Sequence, residues 1–420
     1  MYRFALIGES LSHSYSPMIH SKFGDYKYEL CEVEKENLRE LLNSGLYDGF
    51  NVTIPYKEEI MKYCDEISND SRRIGCVNTI VKNSAGGYDG YNTDYFGFRY
   101  LLENSEIDVA GRKCLILGSG GSSKTVKVVL EDLGANEVLL VSRTGELNYE
   151  NVTEESDAEI IINTTPVGMF PNNLKTLLNL DDFPKCRGVV DLIYNPNRTQ
   201  FILDAMERGI PCVSGLGMLV AQAFKASEIF QKKDLNYEEI SVAIEEIRSS
   251  MLNKILIGMP GAGKTFLGSK MAEASGREFV DIDVEIEAEE SMSVSEIFSL
   301  KGEAYFRKLE TEKLRQACKG RGLVIATGGG VVKTEENFKI IRQNGTVIWV
   351  KRDLDKLQTE GRPLSIATPV GQLYDERKDA YERSWRRCAA SRWACPCRAI
   401  CPTSSSATCS GRRGGTPTPT

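Results

Sequence analysis

Short apolar, β-rich runs alternate with helical patterns along the chain, and that alternation limits the possible folds more than any other feature. Residues Lys113–Leu117 form one such run, 122–133 read as a helix, and Glu137–Val141 form the next run. Strand, helix and strand in that order predict a βαβ unit with parallel pairing, so the fold class is α/β. With 420 residues and 41% hydrophobic content, the chain can hold two or three domains, each with its own core. Residues 234–250 read as an amphipathic helix ending in a polar stretch, after which Met251 opens a fresh strand at 254–257. The main boundary is therefore expected near residue 250.

Composition removes several function classes. A net charge of −7 is the wrong sign for a nucleic-acid partner, because phosphate-backbone binding needs a basic face. No apolar run approaches the roughly 20 residues that cross a bilayer, and Met1-Tyr2-Arg3-Phe4 enters a strand pattern rather than a signal peptide. These features predict a cytoplasmic protein with no membrane partner. Seven of the twelve cysteines are scattered singly up to Cys318, which predicts reduced, mostly buried thiols. With His13 and His20 the only histidines, a histidine metal site or a Ser-His-Asp triad has little to be built from. Lys, Asp and Arg are left to carry the chemistry. From Trp385 onward there are six Arg and five Cys but no Asp, Glu, Lys, Leu, Val or Phe, a composition that cannot bury enough to fold. Its Cys395-Pro396-Cys397 and Cys401 lack the paired spacing of a zinc site.

Gly118-Ser119-Gly120-Gly121-Ser122-Ser123 sits between the run 113–117 and the helix that follows. In that setting glycines let backbone amides approach a pyrophosphate at a helix N-terminus, although a plain strand-to-helix turn uses the same residues. The next run, Val138-Leu139-Leu140-Val141, leads into Ser142-Arg143-Thr144 rather than into an acidic residue that would hold a ribose. A cation there suits a 2′-phosphate, hence NADP. Three polar clusters lie upstream at expected strand ends and loops: Ser12-His13-Ser14-Tyr15-Ser16-Pro17, Asn51-Val52-Thr53-Ile54-Pro55-Tyr56-Lys57, and Gly75-Cys76-Val77-Asn78-Thr79, with Asn92-Thr93-Asp94 beyond. Ligands of open α/β sheets collect outside strand ends, and hydroxyls, amides and one Lys/Asp pair suit a polyhydroxylated acid.

Together with Asn163-Thr164-Thr165-Pro166-Val167-Gly168-Met169 and Gly215-Leu216-Gly217-Met218-Leu219-Val220-Ala221-Gln222, these clusters resemble the shikimate dehydrogenase family over roughly residues 2–232. The resemblance implies a substrate domain at 1–100, completed by about 216–250, and an NADP-binding Rossmann domain at 101–215. It implies that Ser14 and Ser16 hold the substrate carboxylate, that Thr53, Asn78 and Gln222 bind ring hydroxyls, and that Tyr194 lines the same cleft. Gly118, Ser119, Gly120, Gly121, Ser122, Ser142, Arg143, Thr144, Thr164 and Gly215 would hold NADP(H). Lys57 and Asp94 would form the catalytic pair in reduction of 3-dehydroshikimate to shikimate. Hydride delivery to a carbonyl leaves alkoxide charge that needs a proton donor within about 3 Å, a role that suits Lys57 with Asp94 coupled to it. Considered singly, both residues read as ordinary surface charges. An alternative keeps the chemistry with quinate and NAD, as in relatives of this family; Arg143 counts against it.

Beyond the boundary, Gly258-Met259-Pro260-Gly261-Ala262-Gly263-Lys264-Thr265 follows the run 254–257 and opens a helix, which is a complete phosphate-binding loop in its strand–loop–helix setting. Backbone amides of such a loop cradle nucleotide phosphates, Lys264 reaches the β- and γ-phosphates, and the Thr265 hydroxyl ligates Mg²⁺. The loop indicates a nucleotide and no particular acceptor. Phe279-Val280-Asp281-Ile282-Asp283, Gly302-Glu303-Ala304-Tyr305-Phe306-Arg307-Lys308-Leu309-Glu310 and Thr327-Gly328-Gly329-Gly330 resemble the shikimate kinase family. That resemblance implies a P-loop α/β domain with a parallel sheet over 251–384, transferring phosphate from Mg-ATP to shikimate. Gly258, Gly261, Ala262, Gly263, Lys264, Thr265 and the lid residue Arg362 would bind ATP, and Thr265 and Asp281 would hold Mg²⁺. Asp283 would accept the substrate hydroxyl proton, with Arg307, Glu310, Gly328, Gly329, Gly330 and Arg377 completing the shikimate pocket. Two spacings leave questions open. Asp281 and Asp283 alternate on a strand and so face opposite sides unless the strand ends there, and Arg307 and Glu310 have the spacing of a surface ion pair on a helix. After Ser384 the family would continue with a strand, a loop near the adenine and a terminal helix, whereas 385–420 match nothing. Residues 385–420 are therefore expected to form a disordered Cys- and Arg-rich tail that leaves the kinase sheet short of one neighbour, and a truncated, inactive or ligand-binding-only kinase half is the alternative expectation. No obligate protein partner is predicted.

Overall fold

The computed structural model describes residues 1–11, 14–357, 369–389 and 399–400. His13, Arg362, Cys395, Cys397 and Cys401 lie outside the described residues. The chain divides into two compact units, Met1–Leu252 with Arg342–Asn344, and Asn253–Ile341 with Gly345–Thr420.

The first unit holds two sheets. Strands β1 (Arg3–Gly8), β2 (Lys27–Glu32), β3 (Gly49–Val52), β4 (Glu66–Ile67), β5 (Thr79–Lys82) and β6 (Tyr88–Tyr91) make a six-stranded sheet in the order β2-β1-β3-β5-β6-β4. It is mixed rather than parallel throughout: β3 pairs antiparallel with β5, and β5 with β6. The link between β5 and β6 is too short for a crossover, and the Asn83 carboxamide oxygen closes it by accepting from the Ala85 and Gly87 amides. Strands β7 (Lys113–Leu117), β8 (Glu137–Val141), β9 (Ile160–Asn163), β10 (Gly188–Asp191) and β11 (Cys212–Ser214) form a wholly parallel sheet, β11-β10-β9-β7-β8. Helices cover both its faces, so Ile160, Ile161 and Ile162 are all inaccessible, each side chain contributing about 2–3 kcal/mol by burial.

Helix Thr93–Glu103 leads out of the first sheet, and helices Leu216–Gln231 and Glu238–Met251 return to it, packing Leu216, Phe224, Ile240 and Ile247 around Tyr15, Ile19 and Phe23. Met251, expected to open a strand, is instead the last helical residue, because its side chain completes this apolar face. Strand β12 begins at Asn253.

In the second unit, β12 (Asn253–Ile257), β13 (Phe279–Asp281), β14 (Val324–Ala326), β15 (Gly345–Val350) and β16 (Ala399–Ile400) form a parallel sheet in the order β13-β14-β12-β15-β16. The sequence pattern predicted no strand after residue 384. Helix Val370–Ala389 nonetheless runs past that point, and Ala399–Ile400 pairs with Trp349 and Val350, so β15 does have an outer neighbour.

Among the described residues no helix is long and apolar enough to cross a membrane, and no group of three or more His, Cys, Asp or Glu could hold a metal ion. The seven cysteines up to Cys318 are free. Only Cys76, Cys114 and Cys318 are buried; Cys31, Cys64, Cys186 and Cys212 are half-buried, fewer enclosed thiols than their apolar settings predicted.

Candidate active sites

Two backbone hydrogen bonds tie the end of β3 and the loop after it to the loop before β5: Val52 N donates to Asn78 O at 2.7 Å, and Val77 N donates to Lys57 O at 2.9 Å. Asn92, just after β6, caps the next helix by accepting from Tyr95 N, and its amide donates to Cys76 O at 3.1 Å and Cys76 Sγ at 3.3 Å. Asp94 therefore stands in the first turn of that helix, where the dipole favours an anion. Lys57 Nζ donates to Asp94 Oδ2 at 2.5 Å, with the side chains only 16% and 11% exposed. The surface-charge alternative is thereby removed. Burial works against the ammonium form of Lys57, but the charge and hydrogen bond of Asp94 outweigh it, so the Lys57 pKa is raised and the proton is retained.

The other residues expected around this cleft are arranged in three groups. Asn78 and Gln222 meet at Thr93, whose hydroxyl is 3.1 Å from Asn78 Oδ1 and 3.4 Å from Gln222 Oε1. Ser14 donates its hydroxyl to Ser16 Oγ at 3.1 Å. Tyr194 stands edge-on to Tyr15, the residue between those serines in sequence, with ring centroids 5.5 Å apart. Thr53 joins through its backbone, donating to Ile7 O at 2.9 Å, and its hydroxyl bonds none of the other predicted residues.

In the second sheet Leu117 and Val141 are register partners, so Gly118 and Ser142 leave adjacent parallel strands side by side. Gly118 has φ 108°, and a Cβ there would lie 2.8 Å from both Thr164 Oγ1 and Thr165 Cγ2, so only glycine fits. Thr164 is held by donating to Leu117 O at 2.8 Å. Gly120 caps helix Gly121–Asp132, and a Cβ on Gly120 or Gly121 would meet nothing within 4 Å, leaving the helix N-terminus open to an anion. Ser119 is exposed and Ser122 half-buried at this opening, whereas the Ser123 hydroxyl turns inward to Gly120 O. Ser142 is half-buried; Arg143 and Thr144 are exposed, and Arg143 makes no hydrogen bond or ion pair among the described residues. An open helix N-terminus beside an uncommitted guanidinium fits a pyrophosphate with a 2′-phosphate. Gly215 caps helix Leu216–Gln231 and lies against the backbone of Leu192, where no side chain fits.

The phosphate-binding loop of the second unit runs from Gly258 through Gly261, Ala262 and Gly263 into helix Lys264–Ser275. Lys264 Nζ is folded onto the loop, donating to Gly258 O at 2.9 Å and Met259 O at 3.0 Å. Thr265 Oγ1 donates to Asp281 Oδ2 at 2.7 Å on the exposed side, two oxygens of the kind a Mg²⁺ ion bound mainly by water and phosphate requires. Strand β13 ends at Asp281, which caps helix Ile282–Glu290 by accepting from Asp283 N at 3.1 Å. Asp283 thus stands in a helical turn, which settles the question of facing: the strand ends between the two acids.

Helix Val294–Lys319 breaks at Gly302 (φ 83°, ψ 166°), so a new helical run starts at Glu303. Arg307 donates to Glu303 Oε1 and, at 2.8 Å, to Glu310 Oε2. Glu310 is 0% exposed and Arg307 14%, so theirs is not the surface ion pair that the spacing alone implied. Glu310 Oε1 and Asp283 Oδ1 are buried with no hydrogen-bond partner among the described residues. A Cβ on Gly328 would lie 2.5 Å from the first and 2.8 Å from the second, so the two carboxylates converge on one spot. Burial, then the charges of Glu310 and Asp281, push the Asp283 pKa up to about 6. Gly329 O accepts from Arg377 Nη1 at 3.2 Å and from the Tyr381 hydroxyl, while Gly330 lies against the Arg307 guanidinium. Sequence reasoning missed Tyr381, one helical turn after Arg377, as well as Asn92 and Glu303. Asn92 and Glu303 stood inside quoted motifs without a role of their own, and the sequence signal for Tyr381 is its helical spacing from Arg377.

The family model described as "Shikimate dehydrogenase substrate binding domain" matches residues 6–80, and that described as "Shikimate kinase" matches residues 260–394, ten residues past Ser384. The shikimate dehydrogenase (NADP(+)) of Clostridium beijerinckii is 42% identical over 253 residues, covering 56% of this chain and 93% of that protein. That of Methanococcus aeolicus is 37% identical over 264 residues, covering 55% and 93%. Among solved structures, a chorismate mutase/shikimate 5-dehydrogenase fusion protein from Clostridium acetobutylicum superposes with a TM-score of 0.57 at 36% identity, covering 59% of this chain and 97% of that one. Shikimate 5-dehydrogenase of Thermus thermophilus, solved with NADP(H) and shikimate, gives 0.53 at 28% identity, covering 59% and 99%. The chain belongs to the shikimate dehydrogenase family and carries, over residues 260–394, a shikimate kinase domain.

Proposed function

We propose that the chain reduces 3-dehydroshikimate to shikimate with NADPH and then phosphorylates shikimate with Mg-ATP. The observation that carries this reading is the enclosed Lys57–Asp94 pair, in which Lys57 retains its ammonium proton, together with the Asn78 and Gln222 amides that meet at Thr93.

NADPH supplies the hydride. Lys57 donates its proton to the developing alkoxide, and Asp94, 2.5 Å away, keeps that proton on Lys57 until the oxygen becomes the stronger base. Ser14 and Ser16 hold the carboxylate, while Thr53, Asn78 and Gln222 hold ring hydroxyls. Tyr194 walls the same cleft. Gly118, Ser119, Gly120, Gly121, Ser122, Thr164 and Gly215 shape the dinucleotide site, and Ser142, Arg143 and Thr144 receive the 2′-phosphate, which favours NADPH over NADH and dehydroshikimate chemistry over quinate with NAD.

For the second step, Asp283 accepts the proton of the attacking hydroxyl beside Gly328, and Lys264 shields the charge on the transferred phosphate. Thr265 and Asp281 hold Mg²⁺ at their exposed oxygens. Arg307 and Arg377 bind the shikimate carboxylate, with Glu310 fixing Arg307 against Gly330. The work is positioning and charge neutralisation, with no covalent intermediate.

A coupled assay with 3-dehydroshikimate, NADPH and Mg-ATP tests both halves. The expected course is NADPH oxidation followed by ADP release and shikimate 3-phosphate. Accumulation of unphosphorylated shikimate overturns the kinase half, and absence of NADPH oxidation overturns the dehydrogenase half.

A further inference from the structure

Thr93 is 1% exposed and Asn78 3%, so both are enclosed and their polar atoms must find partners within the protein. Its backbone N–H lies 2.7 Å from Asn78 Oδ1. A backbone amide can only donate, so the Asn78 atom facing it must be the oxygen, and the NH₂ group points away. That oxygen also lies 3.1 Å from both the Thr93 and the Thr79 hydroxyls. The Thr93 amide and the Thr79 hydroxyl are two donors for its two lone pairs, which leaves Asn78 its N–H groups to present elsewhere.

Gln222 is oriented in the same way. Its Nε2 donates to Leu219 O at 2.9 Å, and its Oε1 faces the Thr93 hydroxyl at 3.4 Å. Behind Thr93 the polarity is set by a chain of further groups. Thr79 Oγ1, 3.1 Å from Thr93 Oγ1, accepts from Asn51 Nδ2 at 2.9 Å. Asn51 Oδ1 accepts from the Tyr28 hydroxyl at 2.7 Å. One run of hydrogen bonds thus leads from Tyr28 through Asn51, Thr79, Asn78 and Thr93 to Gln222.

We infer that Thr93 is a positioning residue that turns the Asn78 and Gln222 amides so that N–H donors face the cleft. The site is thereby specific for a substrate that offers oxygen lone pairs at those two positions. Thr93 supplies its backbone N–H to Asn78 Oδ1, to which the Thr79 hydroxyl also donates, and its own hydroxyl proton to Gln222 Oε1, so its side chain matters most to Gln222. The inference rests on the dehydrogenase reading.

The test uses the full chain with Thr93→Val, Thr93→Ser and Asn78→Asp, followed in the direction of shikimate oxidation by NADP⁺. Thr93→Val keeps the shape and removes the hydroxyl; it is expected to raise the shikimate KM roughly tenfold, with kcat and the NADP⁺ KM within about threefold. Thr93→Ser restores the shikimate KM to within about twofold, which a role in methyl packing would not allow. Asn78→Asp keeps the inward acceptor and turns the cleft-facing donor into an acceptor, with an expected rise in shikimate KM of roughly a hundredfold. A Thr93→Val KM unchanged within about twofold, a Thr93→Ser variant as impaired as Thr93→Val, or an Asn78→Asp variant with unaltered KM each overturns the inference. The parent chain runs in the same series: if it fails to oxidise shikimate, the dehydrogenase reading falls and takes the inference with it, whereas an active parent leaves the variants to decide the inference alone.

Discussion

Replacing Lys57 by methionine separates two roles of the Lys57–Asp94 pair. Methionine matches the lysine stem in length but has neither charge nor proton. Removing one member of a fully buried ion pair costs about 3–5 kcal/mol, because the other charge is left without compensation. Here the side chains are 16% and 11% exposed, and water screens the remaining charge in part. The cost is therefore about 2–3 kcal/mol, or a fall in Tm of roughly 4–10 °C for a unit of this size. The catalytic cost is larger, about 10²- to 10⁴-fold in kcat, since a positioned proton donor is lost. Calorimetry and NADPH oxidation measured on Lys57→Met and on Lys57→Met/Asp94→Asn distinguish the two effects. The double variant should recover most of the lost Tm, because no buried charge is left unpaired, yet recover none of the rate. A single variant keeping more than about a tenth of its turnover refutes the proton-donor role. A double variant no more stable than the single one refutes the account of Asp94 as a charge that needs its partner.

Three other expectations concern the nucleotide sites and the kinase pocket. Asp283 accepts a proton only when charged, and its pKa is pushed up to about 6, so kinase velocity should fall as the pH drops through 6, to about a tenth of its plateau at pH 5. A flat profile between about pH 7.5 and 5 removes Asp283 from that role. Arg143→Ala should raise the NADPH KM by roughly 10- to 100-fold while leaving the NADH KM within about threefold, and equal effects on both dinucleotides would exclude a 2′-phosphate contact. Gly328→Ala places a methyl 2.5 Å from Glu310 Oε1 and 2.8 Å from Asp283 Oδ1, so shikimate phosphorylation should disappear while 3-dehydroshikimate reduction keeps its rate. Retention of more than about a tenth of the kinase activity would show that the two carboxylates do not share one spot.

Sequence by itself was enough for the α/β class, the glycine-rich loop at Gly118, the phosphate-binding loop at Gly258 and the motifs carrying Lys57, Asp94, Asp283 and Arg307. Each of these is written in a short stretch whose local geometry follows from its own residues. The mixed first sheet was not legible as a whole, although the short link around Asn83 contained the reason for its antiparallel strands. In the ending past Ser384 one element was not legible, since an Arg- and Cys-rich composition predicts no strand while Ala399–Ile400 pairs with the edge of β15. Tertiary structure alone decided whether charges at ordinary helix or loop spacings are exposed. It made Lys57–Asp94 and Arg307–Glu310 enclosed pairs, because elements far apart in the chain close over them. It also decided which way the Asn78 amide faces. That orientation depends on a donor fifteen residues away, the Thr93 backbone N–H, and a hydrogen bond between elements distant in sequence leaves no periodicity or spacing that could be read in advance.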